Sequence, residues 1–409
     1  MINQLGVLLL PIFYLLIRND YRKTLLFITL LSLICNLFVI SFGGINVRYA
    51  QAISLMIIVI KPHELKISRL HYYALAEILL LIITVVYFSF VSPWDSVFNE
   101  RLPLAQKPHI KGFIGLVRIS LDVSLLLSAQ YFKSVLSEKT VRYVLGILTV
   151  QLIYGFVVPI IPSIDSVLFH SPPFGERLRG LNHEPRSIAR NAFYALLLIL
   201  IVGRSIPWNK YLTSVITIVL SFSLSTFLGI IVSVGVATFS HIKSKKVLTR
   251  SICFALLSAI VFALPKFQRI TRQKFNRVIF ESNVDNSAVS LEMYDMAFIE
   301  FLSDNNQFVW LGVGPNLINL AYEKYAIQEW RTSDPTYFVS TGPVTSIFRL
   351  VARSGLIGLI IHIAIYIVWH RKQRNSTMWH LTLFIFFLII YEPWLYFIIG
   401  STAFHDKNL

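Results

Sequence analysis

"YYALAEILLLIITVVYFSFVS", residues 72–92, is a predominantly apolar run of roughly twenty residues, the length at which a helix crosses the hydrocarbon core of a bilayer. Similar runs recur from end to end, near 4–17, 24–42, 50–60, 112–131, 143–162, 188–203, 209–222, 224–240, 249–264, 343–369 and 377–392, with a further apolar piece, "WLYFIIG", after Pro393. Residues 209–240 are too many for one span, and their weakly polar "SFSLS" centre places a turn between two. A soluble chain carries about one charged residue in four. Here Asp, Glu, Lys and Arg make up 14% of the 409 residues and apolar types 55%. That composition excludes a soluble globular protein. It predicts an all-α polytopic membrane protein of about twelve transmembrane helices.

The basic residues set the register. Arg18, Arg22 and Lys23 follow the first run, Lys61, Lys66 and Arg69 the third, and Lys133, Lys139 and Arg142 the fifth. Arg204 and Lys210, then Lys243, Lys245, Lys246 and Arg250, then Arg371, Lys372 and Arg374 continue the alternation. Short basic loops face the cytoplasm, so both chain ends are expected outside. The first run, Leu5–Ile17, lacks a basic segment before it and a small-residue cleavage site after it, so it reads as a retained helix. Cys35 and Cys253 each lie inside an apolar run and read as packing residues.

This register divides the chain into N-terminal membrane helices (1–162), a first long outer loop (163–187), further membrane helices (188–264), a large outer loop (265–342) and C-terminal membrane helices (343–409). The large loop looks ordered. "SAVSLEMYDMAFIEFLSD" sets Val289, Tyr294, Met296, Phe298, Phe301 and Leu302 along one side of a helix. "GVGPN" is a turn signal, and "NLINLAYEKYAI" reads as a second amphipathic helix.

Outward loops are expected to be poor in Lys and Arg, yet these two are rich. The first carries Arg177, Arg179 and Arg186, with Arg190 just inside the next helix. The second opens on "KFQRITRQKFNR", which supplies Arg269, Arg272 and Arg277. That segment also fits an interfacial helix on anionic headgroups. Arg349 and Arg353 lie one turn apart near the outer end of the 343–369 helix. Arg118 stands in the 112–131 helix with Asp122 one turn on, as an intramembrane ion pair or a functional pair. Arginine's planar fork suits phosphate oxygens, so a lipid-linked phosphate or pyrophosphate fits both the charge and the depth.

Glu184 and His183 stand inside the first arginine cluster. Nearby positive charge keeps a carboxylate ionised, and an ionised carboxylate can act as a general base. Pro185 opens the next helix at its first turn, which places Glu184 at a helix N-terminus, where negative charge is favoured. The sequence has no Asp-x-Asp pair, zinc-like Cys/His cluster, Walker loop or G-x-S-x-G elbow. No metal or cofactor is therefore expected, and nothing points to nucleic acid.

"RLRGLNHEPRSIA", Arg177–Ala189, resembles the R-x-x-G-x-x-x-E-P-x-x-x-A pattern of the O-antigen polymerases, the Wzy-type oligosaccharide repeat-unit polymerases. "LSFSLSTFLGIIVSV" resembles the Ser-rich helix pair after that loop, "FVWLGVGPN" the G-x-G turn of the large loop, and "SIFRLVARSGLIGLIIHI" the helix that follows it. These pieces fall in the family's order over roughly 170–370. Ser223, Ser225 and Thr226 are present, but the Arg that usually accompanies them is not.

The resemblance implies a multi-pass protein of the bacterial plasma (inner) membrane that joins undecaprenyl-pyrophosphate-linked oligosaccharides on its outer face. Neither metal nor cofactor is implied. It would work in the bilayer beside a flippase and a polysaccharide chain-length regulator. On that reading the charge and position of the residues make Glu184 the base, Arg177 and Arg179 the catalytic cations, and His183, Arg186, Arg190, Arg272, Arg277, Arg349, Arg353 and Arg118 substrate-binding residues. Two alternatives stand beside it. An O-antigen ligase shares the layout but shows Pro-Asn where this chain has Glu184-Pro185. It also carries a histidine before the last motif, where this chain has none between His241 and His362. A flippase or exporter would instead show short loops and internal repeats.

Overall fold

The computed structural model describes residues 6–35, 38–42, 45–91, 107–136, 138–157, 185–202, 291–315, 317, 346–372 and 392–402, with isolated positions at 213–214, 216–217, 220 and 268. They are mostly helical. A 3-10 turn at Gly6–Leu9 leads into α1 (Leu10–Arg18), followed by α2 (Arg22–Ile34). The strands β1 (Val39–Phe42) and β2 (Ile45–Arg48) precede α3 (Tyr49–Ile60) and α4 (Arg69–Val91). Next come α5 (Pro108–Ser128), extended by a 3-10 segment Ala129–Val135, α6 (Glu138–Val157) and α7 (Pro185–Val202). Within 265–342 lie α8 (Leu291–Asp304) and α9 (Gln307–Leu311), and beyond it α10 (Ser346–Lys372) and α11 (Glu392–Thr402).

Among the described residues, three stretches are long and apolar enough to cross a membrane: Arg69–Phe88, His109–Val135 and Ile347–Trp369. They mark the chain as a membrane protein. Gly6–Arg18, Tyr49–Ile60 and Arg142–Val157 are apolar but shorter. The runs at 209–222, 224–240, 249–264 and 377–392 lie largely or wholly outside the described residues.

The expected helix at 24–42 is corrected. α2 ends at Ile34, and the chain turns into an antiparallel hairpin in which Phe42 pairs with Ile45 and Val39 with Arg48. The β-branched and aromatic residues Val39, Ile40, Phe42, Ile45 and Val47 favour a pleated strand. Gly43-Gly44, between the paired residues, is a strong two-residue hairpin signal that the helical reading overlooked.

α5 lies centrally, against α3, α4 and α11, while α7 packs on α6, α2 and α11 and α4 on α10. The main core is apolar, with Leu25, Leu30, Ile53, Leu125, Tyr194 and Trp394 among its fully enclosed side chains. The α3–α5 interface adds a polar seam. Gln51 donates to Asp122 at 2.5 Å, and Ser54 bonds Ser124 at 2.8 Å and accepts from Ser128 at 2.7 Å. Small polar residues let membrane helices approach closely, and such bonds contribute about 0.6 kcal/mol each on average.

Arg22 gathers one end of the bundle. Its Nε donates to Asp20 at 3.0 Å, its Nη2 to Glu64 at 2.7 Å and its Nη1 to the Tyr131 carbonyl at 3.3 Å. Its guanidinium also covers the Tyr131 ring at 4.5 Å, and the Tyr131 hydroxyl donates to Asp20 at 2.7 Å. Asp20 takes a left-handed backbone, φ 60, a conformation for which Asp is among the better-suited residues. Partial burial raises the Asp20 pKa, but the hydrogen bonds from Arg22 and Tyr131 and the charges of Arg22 and Lys61 outweigh it. They hold the carboxyl below the ordinary value.

Candidate functional site

The second buried cluster forms where α8, α9 and the turn after them meet α4 and α10. α10 is broken at Gly355, whose backbone (φ 64, ψ −167) is not helical. The turn after α9 lies against this break. Gly312 has φ 75, and a Cβ there would stand 2.6 Å from the Gly355 nitrogen and 2.8 Å from the Arg353 carbonyl carbon. A Cβ on Gly355 would collide with the Trp310 carbonyl. Only glycine permits both the left-handed backbone and this approach. The Val313 N–H donates to the Ala352 carbonyl at 2.7 Å, an oxygen that an unbroken helix would direct to Leu356.

Two further helices hold the turn. From α4, the Thr84 hydroxyl lies within hydrogen-bonding distance of the Leu311 carbonyl, at 2.9 Å, and of its own Leu80 carbonyl, at 2.8 Å. From α5, Gly115 faces Pro315 so closely that a Cβ would lie 2.8 Å from the proline ring. Phe298, Phe301, Phe308 and Val313 are buried with Val85 and Phe88 of α4 and Val351 and Ala352 of α10. A helix, α8, is thus present within the expected amphipathic stretch, while Val289, the side chains of Tyr294 and Met296, and all but Leu317 of the second expected helix (316–327) lie outside the described residues. Phe298 and Phe301 are fully buried and Leu302 partly so.

Beside the break lies a buried ionic group. Glu77 of α4 is fully enclosed. Its Oε1 accepts from Arg353 Nη2 at 2.6 Å, and its Oε2 accepts from the Tyr396 hydroxyl of α11 at 2.5 Å. His362, also buried, places Nδ1 3.5 Å from Glu77 Oε1 and 3.3 Å from the Gly358 carbonyl, with Nε2 3.4 Å from Arg353 Nη2. Guanidinium nitrogens only donate. A hydrogen bond between Arg353 and the ring is therefore one that Nε2 accepts. The group is enclosed and charge-compensated, an arrangement suited to orienting helices rather than to receiving a ligand.

The expected site residues are distributed as follows. Arg353, expected beside Arg349 as a phosphate ligand, turns inward to Glu77, whereas Arg349 is exposed. Arg118 is also exposed, and Asp122 accepts from Gln51 in the α3–α5 seam rather than closing the anticipated Arg118–Asp122 pair. α7 opens on Pro185, as the Glu184-Pro185 sequence predicts, with Arg186 in its first turn and Arg190 one turn further on and half-buried. Glu184, His183, Arg177, Arg179, Arg272 and Arg277 lie outside the described residues. α11 links the two arginine-bearing helices. Trp394 stacks on Tyr194 of α7 at 6.1 Å, and Tyr396 bonds the carboxylate that holds Arg353.

Sequence reasoning missed Glu77, Tyr396 and His362. The available signal was Glu77 itself, a single carboxylate inside an otherwise apolar span, which requires a partner. Among the described residues, no group of three or more His, Cys, Asp or Glu side chains could hold a metal ion. The chain matches no model of a known protein family and no curated protein.

Proposed function

We propose that this protein polymerises undecaprenyl-pyrophosphate-linked oligosaccharide repeat units on the outer face of the bacterial plasma membrane, as a glycosyltransferase of the O-antigen polymerase type. The observation that carries the reading is the segment Arg177–Ala189, with its Glu184-Pro185 step leading directly into α7. About twelve spans, outward 163–187 and 265–342 loops, and action alongside a flippase and chain-length regulator belong to this reading.

The chemistry follows from the residue types. The acceptor sugar hydroxyl attacks the donor's anomeric carbon, and the bond from that carbon to the pyrophosphate oxygen breaks. Glu184 takes the hydroxyl proton. The departing lipid pyrophosphate gains negative charge, which Arg177, Arg179 and Arg349 compensate, and the direct displacement inverts the anomeric centre. Each preorganised donor of this kind is worth roughly 10²–10³ in kcat. His183, Arg186, Arg190, Arg272 and Arg277 are assigned to binding the lipid-linked substrates.

The test is a sizing gel of products from purified protein supplied with synthetic undecaprenyl-pyrophosphate repeat units in EDTA. Wild type should give a ladder, and Glu184→Gln none at equal protein level. An intact repeat unit after incubation with folded wild-type protein overturns the polymerase reading. A wild-type ladder from Glu184→Gln removes Glu184 as the base.

A further inference from the structure

We infer that Glu77 is a positioning residue that pins the hinge at Gly355 in α10 and thereby holds the turn after α9 docked against α4 and α10. In α10 two helical halves meet at one residue whose backbone leaves the helix, and a few such residues suffice to form a hinge. Here a single carboxylate reaches both halves. Its Oε1 takes Arg353 from the half before Gly355, at 2.6 Å, and lies 3.5 Å from His362 of the half after it. Its Oε2 is braced from a third helix by Tyr396 at 2.5 Å. The angle of the break is therefore fixed from α4.

The docked turn rests on the same few atoms. Val313 bonds the carbonyl of Ala352, the residue next to Arg353, and Gly312 abuts the Arg353–Gly355 backbone itself. Glu77 and Thr84 are seven positions apart, two helical turns, and so share one face of α4. Along that face Glu77 fixes α10 while Thr84 takes the Leu311 carbonyl at the end of α9. An apolar side chain at 77 would let α10 pack but would leave its two halves unregistered.

The reporter is a thiol in the docked turn. Val313 is fully buried, and cysteine is a small apolar substitute for it. In a C35A/C253A background, V313C is treated with a water-soluble maleimide in detergent-purified protein, and the labelling rate is measured. The parent should label slowly. E77Q, which keeps shape but loses charge, should label at least tenfold faster, and E77D should label more slowly than E77Q. E77M/R353M leaves no buried charge unpaired, so it should keep the parent's melting temperature and still label at least tenfold faster. That combination separates positioning from mere stability. Parent-like labelling in any folded variant that lacks the carboxylate overturns the inference.

Its bearing on catalysis rests on the polymerase reading, but labelling is measured without substrate. If that reading fails, the parent makes no ladder and the labelling contrast persists. If this inference fails, labelling is uniform whatever the ladder shows.

Discussion

Arg22 and Arg353 each grip a carboxylate, with different consequences. Arg22 is 24% exposed and spreads its donors over Asp20, Glu64 and the end of α5. Arg353 is 11% exposed and meets a carboxylate that is fully enclosed. The first is a redundant clasp at one end of the bundle, where water can replace any lost bond. The second lies in an apolar interior where a charge without its partner has no such recourse. Redundancy makes the Arg22 cluster tolerant, and enclosure makes the Glu77 cluster exacting.

The largest expected effect comes from breaking the enclosed pair on one side. Arg353→Met leaves the Glu77 carboxylate buried and should cost about 3–5 kcal/mol of stability, read as a marked fall in melting temperature. A shift no larger than that of a surface substitution would place both clusters in one class. Arg22→Gln should cost less, about 1–2 kcal/mol, and high salt should shrink the difference further. An Arg22 loss equal to the Arg353 loss would show that the clasp is not redundant.

The smallest effect belongs to Asp20. Its folded pKa is lowered, so its contribution is present above the unfolded carboxylate value and lost as pH falls through the folded one. The melting-temperature gap between wild type and Asp20→Asn should be small at pH 7, because the Asp20 side chain is 47% exposed. It should close below about pH 4, near the ordinary aspartate pKa. A gap that widens on acidification would reverse the sign of the argument.

Much of the helical scaffold is legible in the order of residues. The long apolar runs emerge as α4, α5 and α10, Pro185 opens α7, and the spacing of Phe298 and Phe301 marks the buried face of α8. Local pattern was less informative where two remote segments decide the outcome. "RSGLIGL" reads as continuous helix, and Gly355 breaks it because the Gly312 turn occupies the space an unbroken helix would need. Arg353 reads as a surface cation until Glu77, far away in sequence, is brought beside it. The hairpin was readable in principle, but the apolar length of 24–42 outweighed Gly43-Gly44. Glu184, Arg177 and Arg179 rest on motif and charge alone, because their segment precedes α7 and lies outside the described residues.

The hairpin has a consequence for the surrounding lipid. By interrupting the chain it leaves α2 with 13 residues and α3 with 12, beside an α4 of 23. At 1.5 Å per residue these rise about 20, 18 and 35 Å, against a hydrocarbon core of about 30 Å. One molecule thus carries apolar helices of two lengths, α3 well short of the core and α4 slightly longer than it. A bilayer meeting a helix as short as α3 thins locally or draws its flanking polar residues to the headgroups, whereas a helix as long as α4 tilts.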